Sequence, residues 1–396
     1  ARFRRLFDTY VGLNWQKNIS DPPVWKRIHD IPNSTLWQTK NALKQELVDR
    51  IRESVPAQPW LKSAESRSGR DEFLSRLNSS ALWIGFARRF APYKRAPLIF
   101  SDLDRLARLL NQERRPVQIL FAGKAHPNDG HGIELLKKII DAGNDPRFRG
   151  RVFFLENYQL DLARLMVQGV DVWLNTPLRP CEASGTSGQK AAINGTLNLS
   201  VSDGWWCEGY DGSNGWTIGP VMQDPPVTAD DADEVDSHAL YSLLEDEVIP
   251  LFYDREDSGL PVKWLATIKH AFESLVPRFN TDRMLREYFN ELYLPAADRG
   301  AALHSGQFQL ARSIADWKRK MPMRFSSLRI LEVSLEGIHG DSIPIGTPLK
   351  IRVRLEPGKI EPAEILAEVL IGKTDGEHFV APLKCIPLKL ADQKDK

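Results

Sequence analysis

From residue 81 onward, short apolar, β-branched runs alternate with helical patterns, and this alternation limits the fold more than any other feature. The runs are ALWIGFA (81–87), VQILFAG (117–123), RVFFLEN (151–157), DVWLNT (171–176) and LNLSVS (197–202). Between most of them lie PLIFSDLDRLARLLNQ, GIELLKKIIDAG and LDLARLMVQG, which carry helical periodicity. Strands separated by helix-length segments predict a parallel sheet with helices on both faces, a doubly wound α/β fold of Rossmann-like type. Right-handed crossovers follow from that arrangement. Helical stretches at about 237–253, 261–276 and 281–296 close the unit, and another at about 302–319 leads away from it.

The flanks differ. Residues 1–80 read as helical: from Ser34, a candidate N-cap, Leu36, Leu43, Leu47, Ile51 and Val55 recur on one helical face. SAESRSGRDE is a polar break before the next unit. After KMPMRF, the runs LRILEVSL, LKIRVRLEP, AEILAEVLIG and FVAPLKCIPLKL alternate apolar and polar residues between turn signals, which predicts a small antiparallel all-β domain, with a sandwich as one candidate form. The expected division is 1–80 helical, 81–300 Rossmann-like, 301–321 a connecting helix and 322–396 the β domain. With 53 basic and 52 acidic residues the net charge is +1, so no general attraction to nucleic acid or anionic lipid is expected. No apolar run is long enough to span a membrane. Cys181, Cys207 and Cys385 make neither a disulfide framework nor a zinc pattern, which suits reduced thiols in a cytoplasmic protein. The chain opens on ARFRRLFDTY without an initiator Met or signal peptide, and is expected to be a piece of something longer.

Open parallel sheets bind ligands beyond the carboxyl ends of their strands. Polar clusters fall there one after another: RRFAPYKR, GKAHPNDGHG, NYQ, RPCEASGTSGQK and DGWWCEGYDGSNGW. Arg88, Arg89, Lys94 and Arg95 put four cations into eight residues. Such a run is either a solvated surface or, at a strand end, a site for one or two phosphates held by charge-assisted donors. GTSGQKAAING opens a helix, either as a tight turn that needs glycine or as an anion nest with hydroxyls from Ser184 and Thr186. Lys190 lies one turn inside, and the GxxxxGK[ST] pattern is absent. A partly buried lysine among cations has a lowered pKa, and a neutral amine is what Schiff-base chemistry requires. The same neighbours would bind the phosphate of an aldehyde cofactor, a combination that pyridoxal phosphate meets. The tryptophans of DGWWCEGYDGSNGW form either a sugar platform or a loop packed on the core. His126 and His131 lack a third metal ligand at convincing spacing, so no metal is expected.

Together these residues resemble the α-glucan phosphorylases, the pyridoxal-phosphate enzymes of glycogen and starch breakdown. YKR, FAGKA, FLENY and EASGT, with a lysine eight residues after that Glu, occur in the family's order. WLNTPLRPCEASGTSGQKAAINGTLNLSVSDGWWCEG looks like the bacterial branch that departs from the animal enzymes. The resemblance covers residues 81–300 strongly and 1–80 loosely. It implies the C-terminal half of a GT-B glycosyltransferase, with pyridoxal 5'-phosphate carried on Lys190. Arg88, Lys94, Gly185, Thr186 and Ser187 would hold the cofactor phosphate, and Tyr158 would lie beside the pyridine ring. Arg89 and Lys94 would bind the substrate phosphate, while Glu182, Ser184 and Gly185 would contact glucose hydroxyls. The implied reaction is reversible phosphorolysis of an α-1,4-glucan by inorganic phosphate to glucose 1-phosphate, with retention. Homo-oligomerisation is left open.

Two departures stand out. Gln159 follows Tyr158 where animal-type enzymes carry arginine, and the chain begins after the family's N-terminal domain, so an isolated chain is expected to hold half a cleft. A nucleotide-sugar glucosyltransferase of the same fold would carry a second Glu where Lys190 stands. A non-catalytic glucan-binding fragment is the third reading.

Overall fold

The computed structural model describes residues 2–54, 74–220, 229–336, 348–375 and 378–391. The whole SAESRSGRDE break, and Val55, lie outside the described residues. The residues fall into two compact units, Ala1–Glu287 and Tyr288–Lys396.

The first unit is built on six parallel strands: β1 (Leu82–Ala87), β2 (Val117–Ala122), β3 (Val152–Leu155), β4 (Val172–Asn175), β5 (Leu197–Val201) and β6 (Gly215–Ile218). Their order across the sheet is β3-β2-β1-β4-β5-β6. The first five strands coincide with the five apolar runs, because a strand covered on both faces has no solvent side to alternate toward. Successive residues of β1 feed two cores: Leu82, Ile84 and Phe86 face one, Trp83 and Ala87 the other. β6 is absent from the sequence reading. It arises within and just after the tryptophan-rich stretch, where the short GWTI segment pairs with β5.

Helices Leu103–Leu110, Gly130–Asn144 and Leu160–Gly169 connect the strands. The first of these is shorter than its periodic pattern, since the Asp102 side chain accepts from the Arg105 N–H and caps it. Helix Asn33–Ser54 buries Leu36, Leu43, Leu47 and Ile51, the face read from their spacing. It packs on helix Leu160–Gly169 as part of the sheet unit. Chain order reverses between β1 and β4. The loops leaving these neighbours head to opposite sides and open a crevice at their carboxyl ends.

In the second unit, helical segments within Leu294–Phe325 are interrupted by non-helical dihedrals at Ser305–Phe308. Four strands follow as two antiparallel pairs, β7 (Arg329–Glu336) with β8 (Lys350–Glu356) and β9 (Glu368–Asp375) with β10 (His378–Pro387).

Candidate functional site

The site lies where the loops after β1, β4 and β5 meet. Beyond β1 the chain keeps to its neighbour: Arg88 N–H donates to Ala122 O at 3.2 Å and Phe90 N–H to Lys124 O at 3.1 Å. Gly123 makes that approach feasible, because a Cβ there would sit 2.1 Å from Arg88 O. A single helical turn, Pro92–Lys94, then places Lys94 in a buried position.

The loop after β4 is fixed from the other side. Glu182 N–H donates to Asp203 Oδ2 at 2.8 Å, and Trp205 N–H donates to Ser184 O at 2.8 Å. Gly204 lets the two loops touch, since a Cβ there would lie 2.5 Å from Ser184 O. Gly185, at φ +91°, turns the chain into helix Thr186–Ala192. Within it Gly188 packs so closely that a Cβ would meet Asn198 Oδ1 at 2.5 Å, and Asn198 donates to Gly188 O.

These loops bring together Arg88, Lys94 and Glu182. Arg88 Nη2 lies 2.7 Å from Glu182 Oε2, and Lys94 Nζ donates to the same oxygen. Arg88 Nη1 donates to Asn175 Oδ1, and Asn175 in turn donates to Ser200 Oγ. Arg88 Nε is buried without a hydrogen-bond partner. Burial by itself would raise the Glu182 pKa, but the Lys94 hydrogen bond and the Arg88 charge overcome it and hold the carboxyl below its ordinary range. Tyr158 is half-buried close enough to feel Arg88; burial raises its phenol and the guanidinium partly offsets the rise.

The other expected residues differ from this group in burial and in partners. Arg89, Thr186 and Lys190 have exposed side chains, so the partial burial expected of Lys190 is not found. Lys190 sits in the last turn of the seven-residue helix Thr186–Ala192 with its side chain exposed. Ser184, Gly185 and Ser187 are partly exposed, and Ser187 Oγ accepts from Trp173 Nε1 at 3.2 Å. Arg95 is not part of a phosphate-facing cluster: its guanidinium pairs with Asp233 and Asp236. Of the two readings of the tryptophan-rich stretch, the core-packed loop is the one found. Trp205, Trp206 and Trp216 are buried, and Trp206 Nε1 donates to Trp216 O, so this stretch packs on the core. Among the described residues no group of three or more His, Cys, Asp or Glu could hold a metal ion. Nor is any described helix long and apolar enough to cross a membrane.

Asn175, Asp203 and Gly204 shape the site but were not singled out from sequence. The one available signal was position, since Asn175 ends β4 and Asp203 and Gly204 follow β5 within three residues.

Residues 68–210 match the carbohydrate phosphorylase family model. The chain is 40% identical over 380 residues to a maltodextrin phosphorylase of Thermococcus litoralis, covering 96% of this chain and 43% of that protein. It is 44% identical over 290 residues to a glycogen phosphorylase of Aquifex aeolicus, covering 73% of this chain and 41% of the relative. A glycogen phosphorylase of Mycobacterium tuberculosis is 36% identical over 367 residues, 92% of this chain and 42% of its own length. The chain thus spans less than half the length of these curated relatives.

Proposed function

The chain belongs to the carbohydrate phosphorylase family, and we propose that it provides the cofactor- and phosphate-binding half of an α-glucan phosphorylase of GT-B architecture. The observation that carries this reading is the meeting of Arg88 and Lys94 on Glu182, beside a glycine-opened helix bearing Lys190. The residues fit pyridoxal 5'-phosphate. Arg88 Nε is a buried donor in need of an acceptor, the first turn of helix Thr186–Ala192 has N–H groups without intrahelical partners, and Lys190 offers an accessible amine.

In this reading Lys190 holds the cofactor covalently. Arg88, Lys94 and the main chain of Gly185, Thr186 and Ser187 hold its phosphate, and Tyr158 flanks its ring. When bound, the cofactor supplies a phosphate that exchanges protons with the substrate phosphate. Arg89 and Lys94 orient inorganic phosphate, or the phosphate of glucose 1-phosphate, against the terminal unit of an α-1,4-glucan, with retention at the anomeric carbon. Two phosphates at close range repel strongly at low dielectric, which is why cations converge here in a chain of net charge +1. Glu182 receives both cations on Oε2, so Oε1 would meet a glucose hydroxyl, with Ser184 and Gly185 beside it.

Borohydride reduction of the chain with pyridoxal 5'-phosphate, followed by peptide mass mapping, tests the assignment. The expected result is a pyridoxyl adduct on Lys190, lost in Lys190→Ala with the fold intact. An adduct confined to other lysines would overturn it. Phosphate-dependent release of glucose 1-phosphate from maltodextrin separates a phosphorylase from a glucan-binding protein.

A further inference from the structure

Arg95 is adjacent to Lys94 in sequence yet has a different fate. It adopts a left-handed backbone conformation at φ 45°, which turns its side chain away from the cation group. Its Nε donates to Thr176 O at 3.0 Å and its Nη2 to Pro177 O at 2.8 Å, both in the loop after β4. The guanidinium also pairs with Asp233 at 2.7 Å and with Asp236 Oδ2 at 2.6 Å, on helix Ala229–Leu243.

Asp236 does a second thing. Its other oxygen, Oδ1, pairs with Arg179 at 3.2 Å, and Arg179 stands three residues before Glu182. The Asp236 side chain is 1% exposed, and those of Arg95 and Arg179 are 6% and 9%. One buried carboxylate therefore takes an arginine from each of two loops. One loop carries Lys94 and the other carries Glu182. Gly219 keeps the contact tight, since a Cβ there would lie 2.2 Å from Asp236 Oδ1.

A buried ion cluster returns little net stability, because desolvation of the charges offsets their attraction. What such a cluster does fix is relative position. The loops after β1 and β4 diverge at the switch point and are joined directly where Leu178 N–H donates to Tyr93 O at 2.7 Å and Thr176 Oγ1 to Lys94 O at 3.0 Å. The Asp236 cluster adds a second tie farther along, between Arg95 and Arg179. We propose that Asp236, through Arg95 and Arg179, is a positioning residue that sets the geometry of the Arg88–Lys94–Glu182 phosphate site. Arg95 contributes no free positive charge to a bound phosphate, since two arginines face two aspartates. The inference rests on the cofactor reading above and assigns helix Ala229–Leu243 a part in it.

The test compares pyridoxal 5'-phosphate with phosphate-free pyridoxal, each trapped on Lys190 by borohydride across a concentration series. A positioning role predicts that Asp236→Asn lowers the affinity for pyridoxal 5'-phosphate roughly tenfold or more, with pyridoxal little changed. General loosening of the fold would weaken both alike, and an unaltered preference in folded Asp236→Asn would overturn the inference. Arg95→Lys keeps the charge but not the fork, so it should behave like Asp236→Asn. Should Asp236→Asn not fold, Arg179→Gln loosens only one of the two ties and must still narrow the preference. If the unsubstituted chain itself shows no preference at Lys190, the cofactor reading fails, and this inference with it.

Discussion

Glu182 is the residue on which the site's electrostatics turn. Its carboxylate, 8% exposed, is the shared partner of Arg88 and Lys94, so Glu182→Gln leaves two poorly solvated cations facing each other. Loss of one partner from such a group costs about 3 kcal/mol at neutral pH. The pH dependence has a definite sign. The folded-state pKa is depressed, so the contribution is complete above the ordinary carboxylate range and disappears as pH falls through the lower folded value. Thermal melts of both proteins should therefore differ most near neutrality and converge in acid; a constant gap would mean that ionisation of Glu182 is not the source. Arg88, Lys94 and Glu182 were legible because charged residues at strand ends have few structural reasons to be there. Asn175, Asp203 and Gly204 were not, since their roles exist only once the loops after β4 and β5 lie side by side. The fate of Arg95 was hidden for a related reason: a left-handed turn separates it from its neighbour, and its partners lie 138 and 141 residues away.

Helix Asn33–Ser54 reaches the opposite end of the sheet through two lysines one turn apart. Lys40 Nζ donates to Gln168 O and Val170 O at 2.8 Å and to Thr196 Oγ1 at 2.7 Å. Lys44 Nζ lies 2.6 Å from Asp171 Oδ2, which also accepts from Trp83 N–H. The helix thereby fastens the amino ends of β1, β4 and β5. Burial lowers the Lys40 pKa to about 7, against the pull of Asp171 and with the push of Lys44. An unfolded lysine keeps its proton to about pH 10.4. Between these values the unfolded chain binds more protons, so this residue makes stability rise with pH. Circular dichroism melts should show the midpoint climbing from neutral to mildly alkaline pH, and less steeply in Lys40→Met. An equal climb in both would remove Lys40 from the explanation. At this level most of the sheet could be read from sequence, because strands buried on both faces are nearly unbroken apolar runs. β6 could not, since its four residues follow a Gly, Ser and Asn turn and gain strand geometry only from pairing with β5.

On the scale of the whole chain, the two units differ in what holds them. Among the described residues the buried apolar side chains run from Phe3 to Val276, with Ile360 the single exception. Both cores, all six parallel strands, Lys190 and the Arg88–Lys94–Glu182 group therefore belong to the first unit. The second unit has two antiparallel pairs in which Ile330, Val333 and Leu335 are half exposed or more, while Ile351, Val353 and Leu355 are partly buried. This division has a direct consequence. A chain ending at Glu287 keeps every interior contact of the first unit, and because apolar burial dominates folding it should melt cooperatively within a few degrees of the longer chain. It should also form the pyridoxyl adduct on Lys190 with undiminished affinity, since every residue proposed to bind the cofactor lies between Arg88 and Lys190. Adduct yield and melting midpoint, measured on the shortened and full chains together, decide the matter. If the shortened chain melts normally but traps the cofactor poorly, the assignment of the whole cofactor site to the first unit is overturned.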